Sequence, residues 1–98
     1  MEIRLPIRDY HHNMDWEFID SYLDRFIENL PDYMSKRQFR IELAKRLGIP
    51  HGNKQSEDER IAVKRLMLRA IRTKKIRSDP QRWRMLIIEK PQNKMITH

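Results

Sequence analysis

The side chains able to do chemistry here are mostly cationic, and they gather on one side of residue 35. Lys36, Arg37, Arg40, Lys45, Arg46, Lys54, Arg60, Lys64, Arg65, Arg69, Arg72, Lys74, Lys75, Arg77, Arg82 and Arg84 all follow it, as does Gln55. Lys and Arg neutralise phosphate oxygens; Arg binds guanine through two hydrogen bonds, and Gln does the same for adenine. Residues 1–34 carry three basic and eight acidic side chains, a net of −5, whereas residues 35–98 carry eighteen and six, a net of +12. The two parts sum to the overall +7, so the average hides a basic module behind an acidic leader. A surface of that sign attracts polyanions at long range, and nucleic acid is the commonest of them.

Other chemistries find little support. His11 and His12 are adjacent and point to different sides of the chain, His51 and His98 fall in a loop and a tail, and there is no cysteine. A zinc site or thiolate site is therefore not expected. Gly48 and Gly52 are the only glycines, which excludes a Gly-rich phosphate loop. There is no nucleophile elbow, no HExxH and no pair of carboxylates set about a pocket. No catalytic residue, cofactor or metal is expected. No apolar run approaches the roughly 20 residues of a membrane span, and no signal-peptide pattern follows Met1. A cytoplasmic protein without membrane association is the expectation.

The elements that must position the cations are legible in the spacing. Ile3, Leu5 and Ile7 alternate with polar residues as in a half-buried strand, and Pro6 makes it an edge or short strand. From Asp15 to Leu30, Ile19, Tyr22, Leu23, Phe26, Ile27 and Leu30 share one helical face, with Asn13 or Asp15 as cap and Pro31 as terminator. Glu17, Asp20, Asp24 and Glu28 form an acidic stripe opposite that face.

Ser35 with Gln38 makes a capping box, and Phe39, Leu43, Ala44 and Leu47 give the second helix an apolar face that ends at Gly48. Residues 49–55 read as a loop. Ser56 with Glu59 opens a third helix running to about Thr73, whose core face is Ala62, Val63, Leu66, Met67 and Ala70. Glu57 and Asp58 suit the positive end of its dipole. Residues 74–77, 78–81 and 82–89 read as strand, turn and strand, and 91–98 as a flexible polar tail. The expected fold is α+β, mainly α, in the order β-α-α-α-β-β. It forms a single domain over residues 1–90.

The stretch Gln38-Phe39-Arg40-Ile41-Glu42-Leu43-Ala44-Lys45-Arg46-Leu47-Gly48-Ile49 resembles the first half of a helix-turn-helix. With a hairpin after the third helix, the whole order is similar to a winged helix-turn-helix. The resemblance implies that Ala44 permits close helix approach, Gly48 makes the turn and Ile49 plugs the core. It implies duplex DNA as partner, with Gln55, Ser56, Arg60 and Lys64 facing bases and Lys36, Arg37, Arg40, Lys45 and Arg46 on phosphates. Arg77 and Arg82 would flank the tip of the wing. The turn departs from the family, since about seven residues separate Leu47 from Ser56 where three or four are usual.

A module of this size without a ligand domain acts by occupancy, as a transcriptional regulator or as a replication or mobile-element accessory factor, of the kind frequent in phages and archaeal viruses. Helix-turn-helix proteins commonly dimerise, and the first helix or the strand near Ile3 would serve a homodimer.

Several features have two readings. The acidic stripe is a solvent face, or it binds a basic partner or a second copy of the basic module. Trp16 and Tyr22 belong to the core, or they anchor such an interface. Trp83, between Arg82 and Arg84, packs across the strand onto a helix, or stacks on an unpaired base. A protein-interaction module, such as a phage-encoded inhibitor of a host enzyme, is the alternative to a DNA-binding role.

Overall fold

A computed structural model describes residues 15–90. Three helices, α1 (Trp16–Glu28), α2 (Lys36–Leu47) and α3 (Glu57–Arg72), are joined by three short strands, β1 (Tyr33–Ser35), β2 (Ile76–Ser78) and β3 (Met85–Ile88). The fold is α+β and mainly helical, in the order α-β-α-α-β-β among the described residues. The strand expected near Ile3 and the tail 91–98 lie outside those residues.

Each helix starts where a side chain can satisfy its orphan N–H groups. The Asp15 carboxylate accepts from the Phe18 N–H at 3.1 Å, and Ser35 Oγ from the Gln38 N–H at 3.0 Å. The box expected at Ser35 is half made, because Gln38 donates instead to Glu42 at 2.8 Å. At α3 the box is complete: Ser56 Oγ accepts from the Glu59 N–H at 3.1 Å, and Glu59 accepts from the Ser56 N–H at 2.8 Å. Gly48 ends α2 with φ 72°, in the left-handed region that costs any residue with a Cβ.

The β1 strand was not anticipated. Three residues are too few for a period-2 pattern, and the strand exists because β3 pairs with it. The sheet is antiparallel with β3 in the centre; Tyr33, Met34 and Ser35 face Ile87, Leu86 and Met85, while Ile76, Arg77 and Ser78 face Ile88, Ile87 and Leu86.

The hairpin strands also differ from expectation at their starts. The Lys74 and Lys75 N–H groups donate to Ile71 and Ala70 carbonyls at 3.0 and 2.9 Å, and Lys74 is left-handed at φ 63°, so β2 begins only at Ile76. Arg84 is left-handed too, at φ 61°, and the Met85 N–H turns back to the Arg82 carbonyl. Residues 82–84 therefore belong to the hairpin loop, and β3 begins at Met85.

One core lies between the three helices and the sheet. Leu23 and Phe26 of α1, Phe39 and Leu43 of α2, Leu66 of α3, and Ile76 and Leu86 of the sheet are essentially inaccessible. The Phe26 and Phe39 rings meet edge-on, 5.4 Å apart at 74°. Ala44 and Ile49 are buried as well, which fixes how α2 turns toward α3.

Candidate nucleic-acid interface

Two grooves are lined by exposed cations of the helices. The first, about 480 Å³, runs between α2 and α3. Arg37 and Arg40 come from one wall and Arg60 and Lys64 from the other; His51 and Gln55 close one end over Val63 and Met67. Among the described residues, no carboxylate lines it. The helical period explains the grouping, because residues three or four apart share a face: Arg37 with Arg40, and Arg60 with Lys64. All four are exposed. Arg60 is shared with Glu57 at 2.9 Å, while Arg37, Arg40 and Lys64 have no ion-pair partner among the described residues.

The second groove, about 500 Å³, lies between the start of α1 and the outer face of α3. Lys64, Arg65 and Arg72 share it with Trp16, Ile61, Leu68 and Arg69. Leu68 is 50% exposed and Trp16 38%, so this face is mixed apolar and basic. Of the two aromatic residues read as core or anchor, Tyr22 is buried and Trp16 is exposed. Sequence reasoning passed over Ile61 and Leu68. Leu68 lies off the core face set by Leu66 and Ala70, and a helical projection would have flagged it.

Other predicted contact residues are already engaged. Arg69 Nε and Nη2 bind both oxygens of Asp20 at 2.8 Å, with the guanidinium 4.5 Å from the centre of the Trp16 ring. Lys75 is only 12% exposed and reaches Asp24 at 3.0 Å. Asp20 and Asp24 thus face the basic module of their own chain. The stripe is not a uniform solvent face: Glu17 and Glu28 are exposed, whereas Asp20 and Asp24 are half-buried. The Arg69 hydrogen bond holds the Asp20 carboxyl below its ordinary value of 3.8, against the opposing effect of burial.

Lys45 sits 3.7 Å from Glu42, and Arg46 lies 5.6 Å from the Phe26 ring centre. Arg77 pairs with Glu89 across the hairpin. The Gln55 amide donates one of its two N–H groups to the Pro50 carbonyl at 2.9 Å, which braces the long turn and fixes the side chain expected to read adenine against it. That turn is ordered by a short 3-10 segment, Gly52–Lys54, which leaves Lys54 exposed. Lys36 is half-buried at the start of α2, and Lys74 is exposed.

The hairpin tip contradicts the reading of Trp83 as a packed strand residue. Trp83 is 82% exposed, with the Arg84 guanidinium 4.1 Å from its ring centre. Arg82 is tied to Asp79 at 2.7 Å and lies over the Tyr33 ring at 4.4 Å. The Gln81 N–H is the foremost cause, and Arg82 the second, of an Asp79 carboxyl pKa lowered from 3.8.

Among the described residues, no group of His, Cys, Asp or Glu is placed to hold a metal ion, and no helix is long and apolar enough to cross a membrane. No family model, curated protein or solved structure matches this chain.

Proposed function

We propose that this chain is a winged helix-turn-helix protein that binds duplex DNA and acts by occupancy, without catalysis. The observation that carries the reading is the groove between α2 and α3, where Arg37, Arg40, Arg60 and Lys64 converge and no carboxylate lines it among the described residues. Like charges gathered about one exposed concavity raise the local potential for a polyanion. The element order supports the finer fold reading: a helix and a short strand precede the helix pair, and the β2–β3 hairpin follows as the wing.

In this reading Arg37 and Arg40 take phosphates while Arg60 and Lys64, on the first half of α3, approach base edges. Arg69 and Lys75 instead hold the module to α1. A role in transcription, replication or a mobile element, viral or otherwise, follows only by analogy of size and fold.

The experiment is binding to a mixed-sequence duplex across a salt series. Neutralisation of four phosphates gives a slope of log K against log salt near about −4. Absence of duplex binding at low salt overturns the reading. A second reading, a protein-binding module, would then take its place. It is favoured by the exposed Trp16 and Leu68, with half-buried Ile61, in the groove between α1 and α3, because apolar side chains among cations suit an acidic amphipathic partner.

A further inference from the structure

We propose that Trp83, at the tip of the β2–β3 hairpin, is a stacking platform for an unpaired nucleobase. The protein therefore prefers DNA in which a duplex continues into a single strand. The inference rests on the duplex-binding reading and names the form of DNA that reading left open.

Three observations carry it. Trp83 is 82% exposed, more than any other large hydrophobic residue among those described. The Arg84 guanidinium lies over one face of its indole at 4.1 Å, and so much exposure leaves the other face to solvent.

The tip that presents this ring is tied down. Asp79 accepts from the Gln81 N–H at 2.8 Å and from Arg82 Nε at 2.7 Å, and its own N–H donates to the Met85 carbonyl at 2.9 Å. The Arg84 carbonyl accepts the Lys36 N–H at 3.0 Å, which fastens the tip to the start of α2. The backbone that carries the ring is held this way, so the loop itself need not be ordered on binding.

The third observation is charge. Arg82 and Arg84 flank Trp83 in the chain, the Lys36 N–H on the Arg84 carbonyl brings the start of α2 to the tip, and the loop's acid, Asp79, is occupied by Gln81 and Arg82. Trp83 is the one large exposed hydrophobic residue of the loop, and an aromatic flanked by Arg82 and Arg84 suits a base between phosphates. An apolar protein surface or a bilayer would call for several apolar side chains. A base that is already unpaired also spares the cost of opening a pair.

The test compares a blunt duplex, the same duplex carrying a single-stranded tail, and vesicles containing phosphatidylserine. Wild-type protein, Trp83→Ala and Trp83→Phe are measured against each. The expected result is a preference of about tenfold for the tailed duplex. Trp83→Ala abolishes that preference without changing blunt-duplex affinity, and Trp83→Phe largely retains it. With Trp16→Phe in the background, Trp83 emission is quenched by tailed but not by blunt duplex.

A tail preference that is absent, or that survives Trp83→Ala, overturns the inference while leaving duplex binding standing. Vesicle binding that depends on Trp83 with no tail preference also overturns it, in favour of a lipid surface. Failure to bind any DNA removes both readings. Because Trp83 is exposed, its replacement leaves the fold intact, and an unchanged melting temperature verifies this.

Discussion

Asp20 and Arg69, forty-nine positions apart, meet in a two-point ion pair, both hydrogen bonds 2.8 Å long. The pair joins α1 to α3, and with Lys75 on Asp24 it explains why an acidic leader precedes a basic module: part of the acid neutralises part of the base within one chain. The charge asymmetry thus has a structural share as well as a share offered to a partner.

Replacing Asp20 with Asn is expected to lower the melting temperature by a few degrees and leave duplex affinity unchanged, because the proposed interface does not include Arg69. Both side chains are partly exposed, which keeps the effect modest. Thermal melting and duplex titration of the same variant separate the two roles. A large loss of affinity at constant stability would place Arg69 at the nucleic acid instead.

Acid should act through the same carboxylates. Asp20 and Asp79 both have folded-state pKa values lowered from 3.8. Their contribution is therefore complete above 3.8 and is lost as pH falls through the lower, folded value. Stability should be insensitive to them near neutrality and should drop on acidification below that point. Melting curves of wild type and of the Asp20→Asn, Asp79→Asn double variant across the acid range check this, with a shallower fall in the variant.

Charge reversal at the α2–α3 groove should weaken binding without unfolding. Arg37→Glu with Arg40→Glu removes the two proposed phosphate contacts and adds repulsion. The salt slope is then expected to become shallower by about 2, with a loss of affinity at every salt concentration. Both positions are exposed, so the melting temperature should hold. The double variant Lys54→Glu, Lys74→Glu, altering exposed cations that line neither groove, provides the comparison for net charge.

Gly48→Ala should destabilise the fold by about 1 kcal/mol, because its φ of 72° forces a Cβ into the left-handed region at the end of α2. Denaturant unfolding at equilibrium measures it. Phe39→Ala, which empties the edge-on contact with Phe26 at a fully buried site, should cost more, about 3 to 5 kcal/mol.

The helices were legible because their determinants are local. Asp15, Ser56 with Glu59, and Gly48 act within three or four positions of themselves, and Ile19, Leu23, Phe26, Leu43 and Leu66 repeat at the helical period on faces the core then buries. The strand Tyr33–Ser35 was not legible. Its hydrogen-bond partners, Met85 to Ile87, lie some fifty positions away, and nothing in three residues announces them.

The hairpin was legible as a hairpin but not in its loop. The left-handed Arg84 that releases Trp83 from the strand follows from bonds to Arg82 and Lys36, not from residue type. The candidate site divides the same way. Arg37, Arg40, Arg60 and Lys64 were named from charge and helical position, and only packing of α2 on α3 placed them across one groove. Gln55, Arg69 and Lys75 were named with them and proved to have partners of their own.

By itself, then, the chain's order of residues determined three capped helices, their apolar faces, a terminal hairpin and a signed division of charge. These depend on contacts within a few positions and on composition. Tertiary structure alone decided which cations remain available, that α1 is bound through Asp20 and Asp24, that a third strand completes the sheet, and that Trp83 stands clear of the core. Each of these depends on groups distant in the chain, which approach only when helix and sheet surfaces pack, and no spacing rule encodes that approach.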